Sequence, residues 1–208
     1  MAATVITIAR TIGSQGEDVG QIVARELGFR YADDEIINEA AARAGVSREA
    51  VERVEHRQSL ITRILEGMGQ VPLEPQVYYG QALGVTPLFE STPYDELIRD
   101  VIIETANQGN VVIVAHGAGM CLAGSHGLLR VFVTAPASMR AERIARVASV
   151  DMKRAEKAVA GSDKDREDFL KRFYDVAHEQ ATHYDLVINT EQMTPDSAAA
   201  LVAAAAKA

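Results

Sequence analysis

The sequence predicts one α/β domain built on a parallel sheet with helices on both faces. Three observations carry that expectation. Short, β-branched apolar runs alternate with segments of helical periodicity, the runs are apolar at both parities, and the first leads through a glycine-bearing turn into a helix. A strand apolar on both sides is one buried on both faces, as in parallel sheets. Intervening helices supply the crossovers such sheets need.

Residues 4–9 (Thr-Val-Ile-Thr-Ile-Ala) form the first strand, and residues 11–16 the turn. Val19, Ile22, Val23 and Leu27 then share a helix face, and Gly28 ends that helix. Residues 29–33 supply a second short strand, completing a βαβ-type unit. Residues 35–68 read as mostly helical, with a helix starting at Ser47 that buries Ala50, Val51 and Val54. Residues 67–93 hold four of the six prolines and read as an irregular excursion, the kind that serves function in compact domains. Regularity returns with a helix from Tyr94 to about Gln108, a buried strand over 111–115 that ends in His116-Gly117-Ala118-Gly119, and a strand over 129–134. A helix bearing Arg140, Arg143 and Arg146 follows, then a charged segment from about Val150 to Asp168 leading into a helix around Phe169. The last strand is Leu186–Asn189, and the final helix fades into an Ala-rich tail.

Composition bounds the function. The chain has 208 residues, 48% of them apolar, enough for a core without metals or disulfides. Its single cysteine, Cys121, excludes an internal disulfide and a Cys-rich zinc site, and it lies in a loop with no activating pattern. No apolar run is long enough to span a membrane, and the amino-terminal residues lack a basic stretch followed by an apolar one, so the expected compartment is the cytoplasm. A net charge of −8 argues against nucleic-acid and anionic-membrane partners and leaves small nucleotides open. The oligomeric state has no sequence signature.

Ligands of parallel α/β sheets bind beyond the carboxyl ends of the strands. Residues 10–16, Asp33 and residues 116–119 should therefore face one crevice. The turn Arg10-Thr11-Ile12-Gly13-Ser14-Gln15-Gly16 stands where a phosphate loop belongs, its glycines allowing backbone N–H groups to converge on an anion before a helix N-terminus. The G-x-x-x-x-G-K-[ST] pattern is nevertheless absent: its lysine falls on Gly16, and Glu17 and Asp18 fill the first helical turn. Ser14 and Glu17 fit a capping box, with Ser14 as N-cap, which would satisfy the N–H groups a phosphate needs. Arg10 offers a replacement cation from the strand end.

The segment from Ile6 to Gly16 resembles the opening of cytidylate-kinase-like proteins, a strand followed by Ser-Arg-Glu-aromatic-Gly-Ser-Gly-Gly-Arg. Tyr31-Ala32-Asp33-Asp34-Glu35-Ile36-Ile37, Val112-Ile113-Val114-Ala115-His116-Gly117-Ala118, Ser162-Asp163-Lys164-Asp165-Arg166 and Tyr184-Asp185-Leu186-Val187-Ile188-Asn189-Thr190 resemble its later motifs, in order. The resemblance implies a five-stranded parallel sheet of the P-loop nucleoside-monophosphate-kinase type over residues 1–208. It implies an acceptor-site excursion at about 40–100 and a small helical lid at about 146–170.

By resemblance, ATP with Mg²⁺ would be the donor, held by Gly13, Ser14, Gln15 and Gly16, with Arg143 a candidate to stack on its base. Asp33 and His116 would hold a nucleoside monophosphate, CMP or dCMP, and Arg10, Arg166 and Asp163 would serve catalysis. The departures fall at charged positions: Glu17 replaces the family's loop arginine, Asp34 a basic residue, and His116 an arginine at the strand end. A bidentate guanidinium has no equivalent in these substitutes. Three readings stay open: a cytidylate-like kinase, a nucleotide-binding or regulatory protein that has lost the chemistry, and a kinase for another small molecule. Spacing alone would make Asp163 and Arg166 a surface ion pair on one helix face.

Overall fold

A computed structural model describes residues 2–48 and 93–208, together with Val51. Five strands, β1 (Val5–Arg10), β2 (Arg30–Ala32), β3 (Val111–Val114), β4 (Leu128–Thr134) and β5 (Leu186–Asn189), form one sheet in the order β2-β3-β1-β4-β5. Every pairing is parallel, with Ile6 opposite Val112 on one side and Leu129 on the other. The helices are α1 (Gly16–Leu27), α2 (Asp34–Ala44), α3 (Pro93–Asn107), the one-turn α4 (Ala118–Cys121), α5 (Ala137–Ala148), α6 (Met152–Tyr174) and α7 (Pro195–Lys207).

The double-sided apolar pattern of β1 and β3 has the expected consequence, since alternate residues feed two separate cores. Val5, Val111 and Ile113 face α2 and α3 with Ile36, Ala40, Ile98 and Ile102. Ile6, Ile8, Val112 and Val114 face α1 and α7 with Val19, Val23, Ala199 and Val202. The Ala-rich tail is no frayed end: α7 starts at a Thr194 cap that accepts from the Ser197 backbone N–H at 3.2 Å, carries Pro195 at its start, and buries five small residues. Small side chains let it lie close against α1.

A third cluster, Ala141, Ile144, Ala155 and Val159, joins α5 to α6 and takes in the partly buried Ile12 of the first turn. The charged segment from about Val150 to Asp168 lies almost wholly in one helix with Phe169, α6 running unbroken from an Asp151 N-cap. Cys121 ends a helical turn rather than lying in a loop, and burial pushes its thiol up, which keeps it protonated and unreactive. Of the helix expected after Ser47, Val51 is described and fully buried. Ala50, Val54 and residues 67–92 lie outside the described residues.

No helix among the described residues is long and apolar enough to cross a membrane.

Candidate functional site

The carboxyl ends of β1, β2 and β3 carry the functional candidates. After β1 the chain turns sharply: Gly13 and Gln15 are both left-handed, at φ 74° and 64°, and α1 begins at Gly16. Glycine is required at 13 for two reasons. Its φ is one that L side chains rarely adopt, and a Cβ there would meet the Arg140 carbonyl oxygen at 2.8 Å.

The capping box expected at Ser14 does not form. Gln15 is the N-cap and has no side-chain capping bond. Ser14 is fully buried, and its hydroxyl donates to the carbonyls of Thr11 (2.6 Å) and Val133 (3.0 Å), so it braces the loop against β4. Glu17 is engaged elsewhere, ion-paired with Arg10. The first-turn amides of α1 are thus not claimed by the Ser14 side chain.

Successive loop carbonyls are held from outside. Ile12 O accepts from Arg140 Nη1 at 3.4 Å, Gly13 O from Arg143 Nη1 at 3.2 Å, and Ser14 O from the Thr190 hydroxyl at 2.8 Å. In a trans peptide the carbonyl and the following N–H point in opposite directions. The Gly13 and Gln15 amides are therefore turned away from Arg140 and Thr190. They stand beside the α1 N-terminus, whose first N–H groups have no acceptor within the helix. Amides and a helix dipole directed one way form an anion cradle.

Gly16 stands where a Walker lysine would be, and the reason is steric. A Cβ on Gly16 would fall 2.5 Å from Arg10 Cβ and 3.2 Å from its Cγ. The stem of Arg10, at the strand end, fills the space that a side chain at 16 would need. Its guanidinium rests on Glu17.

On the other side, Asp33 accepts from Tyr31 Oη at 3.1 Å. His116 Nε2 lies 3.0 Å from the Asp33 carbonyl oxygen and 3.3 Å from Oδ1. Both neighbours only accept, so Nε2 carries a proton. Burial would raise the Asp33 carboxyl, but the His116 hydrogen bond and charge, with Arg10 and Tyr31 adding, hold it below its ordinary value. Asp33 is thus an anion and an acceptor at neutral pH. His116 is delivered by three consecutive left-handed residues, Ala115, His116 and Gly117. Two of these carry a Cβ, a backbone cost concentrated at the site.

The lid candidates do not pair with each other. Asp163 accepts both ends of the buried Arg140 guanidinium, at 2.9 and 2.7 Å. Arg166 grips Glu179 at 2.8 and 2.5 Å, donates to Tyr184 Oη at 3.2 Å, and lies 5.4 Å over the Phe132 ring. Burial pushes the Glu179 carboxyl up, and the Arg166 hydrogen bonds more than reverse this, leaving it below its usual range. Arg166 also lines a small crevice with Ala9, Ala115, Gly117 and Gly119, at the heads of β1 and β3. The surface ion pair that spacing suggested is replaced by two separate, better-buried pairs.

Arg143 is likewise committed: besides Gly13 O, it donates to Thr190 Oγ1 at 3.0 Å and Thr190 O at 2.5 Å. Sequence reading missed Arg140, Thr190 and Glu179. Arg140 and Arg143 were visible as a triplet spacing, and Thr190 closes a quoted motif. Glu179 left no signal.

Comparison with known proteins fits this geometry. A model of the cytidylate kinase-like family matches residues 5–192. A cytidylate kinase of Ignicoccus hospitalis is 26% identical over 195 residues, 93% of this chain and 94% of that one. One from Pyrococcus horikoshii is 31% identical over 103 residues, about half of each chain (50% and 53%). Among solved structures, an uncharacterized protein from Eubacterium ventriosum superposes with a TM-score of 0.67 at 17% identity, covering 97% of both chains. A shikimate kinase from Bacteroides thetaiotaomicron gives 0.51 at 14%, covering 96% of this chain and 95% of the other, a likeness of fold alone. With its five-stranded parallel sheet, its glycine turn after β1 and a family match over most of its length, the chain belongs to the cytidylate kinase-like family.

Proposed function

We propose that this protein binds a nucleoside triphosphate at residues 10–16 and transfers its terminal phosphoryl group to a nucleoside monophosphate, with CMP or dCMP as acceptor. One observation carries the reading: an inward-held loop presents its amides beside the α1 N-terminus, at the same strand ends as the Asp33–His116 pair.

The residues fit a triphosphate through the backbone. The amides of Gly13, Gln15 and Gly16 bind the phosphates, Ser14 fixes the turn from beneath, and Arg10 supplies the cation that Gly16 lacks. Asp33 accepts from hydroxyl or amino groups of the acceptor, and His116 holds that carboxylate in place. Arg166, at the crevice head, faces the charge that develops between them. Phosphoryl transfer asks mainly for this kind of positioning and neutralisation.

Mg²⁺ suits the site only as a companion of the donor. Among the described residues no three His, Cys, Asp or Glu side chains cluster to hold a metal, and the oxygen ligands of Mg²⁺ would come chiefly from the phosphates. Bound there with the donor, it would supply positive charge beside Arg10 that offsets the charge of the phosphates.

A second reading has its own observation. Arg10, Arg140 and Arg166 are all matched to carboxylates, Glu17, Asp163 and Glu179. This favours a protein that binds nucleotide without transferring phosphate. The test is ADP release from ATP·Mg²⁺ with CMP, dCMP, UMP or AMP, run beside thermal unfolding with each ligand. ADP formation with a cytidine monophosphate supports the kinase. A thermal shift without ADP selects the second reading, and neither response overturns both.

A further inference from the structure

We infer that Arg143 and Thr190 are positioning residues which shape the phosphate loop from outside, rather than groups that touch the nucleotide. The inference rests on reading residues 10–16 as the donor site, and it reassigns Arg143 from base stacking to loop support.

The geometry is a closed circuit linking three elements. Thr190, just past β5, is fully buried. Its hydroxyl donates to Ser14 O at 2.8 Å, lies 3.3 Å from Thr134 O, and receives Arg143 Nη1 at 3.0 Å. Arg143, on α5, uses the same Nη1 on Gly13 O at 3.2 Å and its Nη2 on Thr190 O at 2.5 Å. The backbone N–H of Thr190 donates to Thr134 O at 2.8 Å, which ties the anchor to the sheet.

Two neighbouring loop carbonyls are thereby pulled toward β5 and α5. Because each peptide is planar, fixing Ser14 O fixes the Gln15 N–H on the opposite side. One turn earlier on α5, Arg140 Nη1 reaches Ile12 O while the same Nη1 and Nη2 hold Asp163 on α6. A guanidinium spans two acceptors in a plane, which a lysine ammonium cannot reproduce. With these arginine faces occupied by protein acceptors, Arg143 acts on phosphate through the loop.

The test uses the full-length protein and inorganic tripolyphosphate as probe, which has no base to stack. Thr190→Val keeps the shape and removes the hydroxyl. It should weaken tripolyphosphate binding by about fivefold to tenfold, the worth of one buried hydrogen bond. Thr190→Ser should restore it, and acceptor affinity should not change. Arg143→Lys should behave like Thr190→Val.

Hydrogen exchange of residues 11–17 in the ligand-free protein gives a reading independent of binding, and Thr190→Val should speed it while β1 exchange stays unchanged. Arg143→Ala losing affinity with Thr190→Val neutral would show direct contact and overturn the inference. So would a Thr190→Val variant that melts earlier with unaltered loop exchange. If the wild-type protein binds no tripolyphosphate, the donor-site reading falls, and loop exchange still decides whether the circuit shapes the turn.

Discussion

Glu17→Gln should make the protein less stable and the proposed donor site tighter, two effects of opposite sign from one substitution. Glu17 lies in the first turn of α1, where a carboxylate gains roughly 0.3–1 kcal/mol from the helix dipole. Its pairing with Arg10, at side chains 25% and 40% exposed, adds about 0–1 kcal/mol. Losing both lowers stability by about 1 kcal/mol, or roughly 2–4 °C in Tm for a chain of this size.

On the binding side, Arg10 no longer has to leave a carboxylate, and a like charge beside the phosphates is gone. A unit charge at about 4 Å is worth on the order of 1 kcal/mol in water and more behind protein, so half-exposed groups gain about 1–2 kcal/mol, near tenfold in Kd. Titration calorimetry with tripolyphosphate at low salt reads this directly, and the gain should shrink at 0.5 M salt. Two controls make it specific. Asp18→Asn, in the same turn, should gain less. Glu17→Gln added to Arg10→Met should gain little, because the competition is for Arg10. Equal or weaker binding by Glu17→Gln would refute the reasoning, as would equal gains from Asp18→Asn.

Further outcomes follow from the same contacts. Gly13→Ala forces a Cβ to 2.8 Å from Arg140 O at φ 74°, and should cost about 2–4 kcal/mol in urea unfolding; a loss under 0.5 kcal/mol would mean that the turn is loosely held. Arg166→Ala leaves Glu179, only 15% exposed, without its cation, and should lower stability by roughly 3 kcal/mol. Lost activity in that variant is therefore informative only below its own melting point, and an unchanged Tm would show the pair to be ornamental. For Asp33 the native carboxyl titrates below its unfolded value near 3.9. Its contribution is complete above that value and is lost as pH falls through the native one, so stability should decline less steeply with acid in Asp33→Asn than in wild type. Glu179 and Asp185 titrate low in both proteins, so the difference between the two curves reports Asp33 together with its His116 partner.

The sheet, its parallel sense and the ends of several elements are legible in the order of residues. β5 is Leu186–Asn189 as its pattern reads, and Gly28 closes α1 in a left-handed turn. These features are local: double-sided apolarity reports two covered faces, and a C-cap glycine reports a positive φ, whatever lies across the molecule. Local rules also placed residues 10–16, Asp33 and His116 at one edge, because strand ends in a parallel sheet share a side.

Which partner each charged group takes follows from long-range packing. Ser14 and Glu17 satisfy a capping rule on paper, yet Ser14 turns to Thr11 and Val133, and Glu17 to Arg10. Asp163 and Arg166 share a helix but reach Arg140 and Glu179. The hydrogen bonds on the Gly13 and Ser14 carbonyls join residues 130 and 176 positions apart in the chain. Periodicity reveals the face a side chain occupies; the acceptor it meets there depends on which distant segment folds against that face.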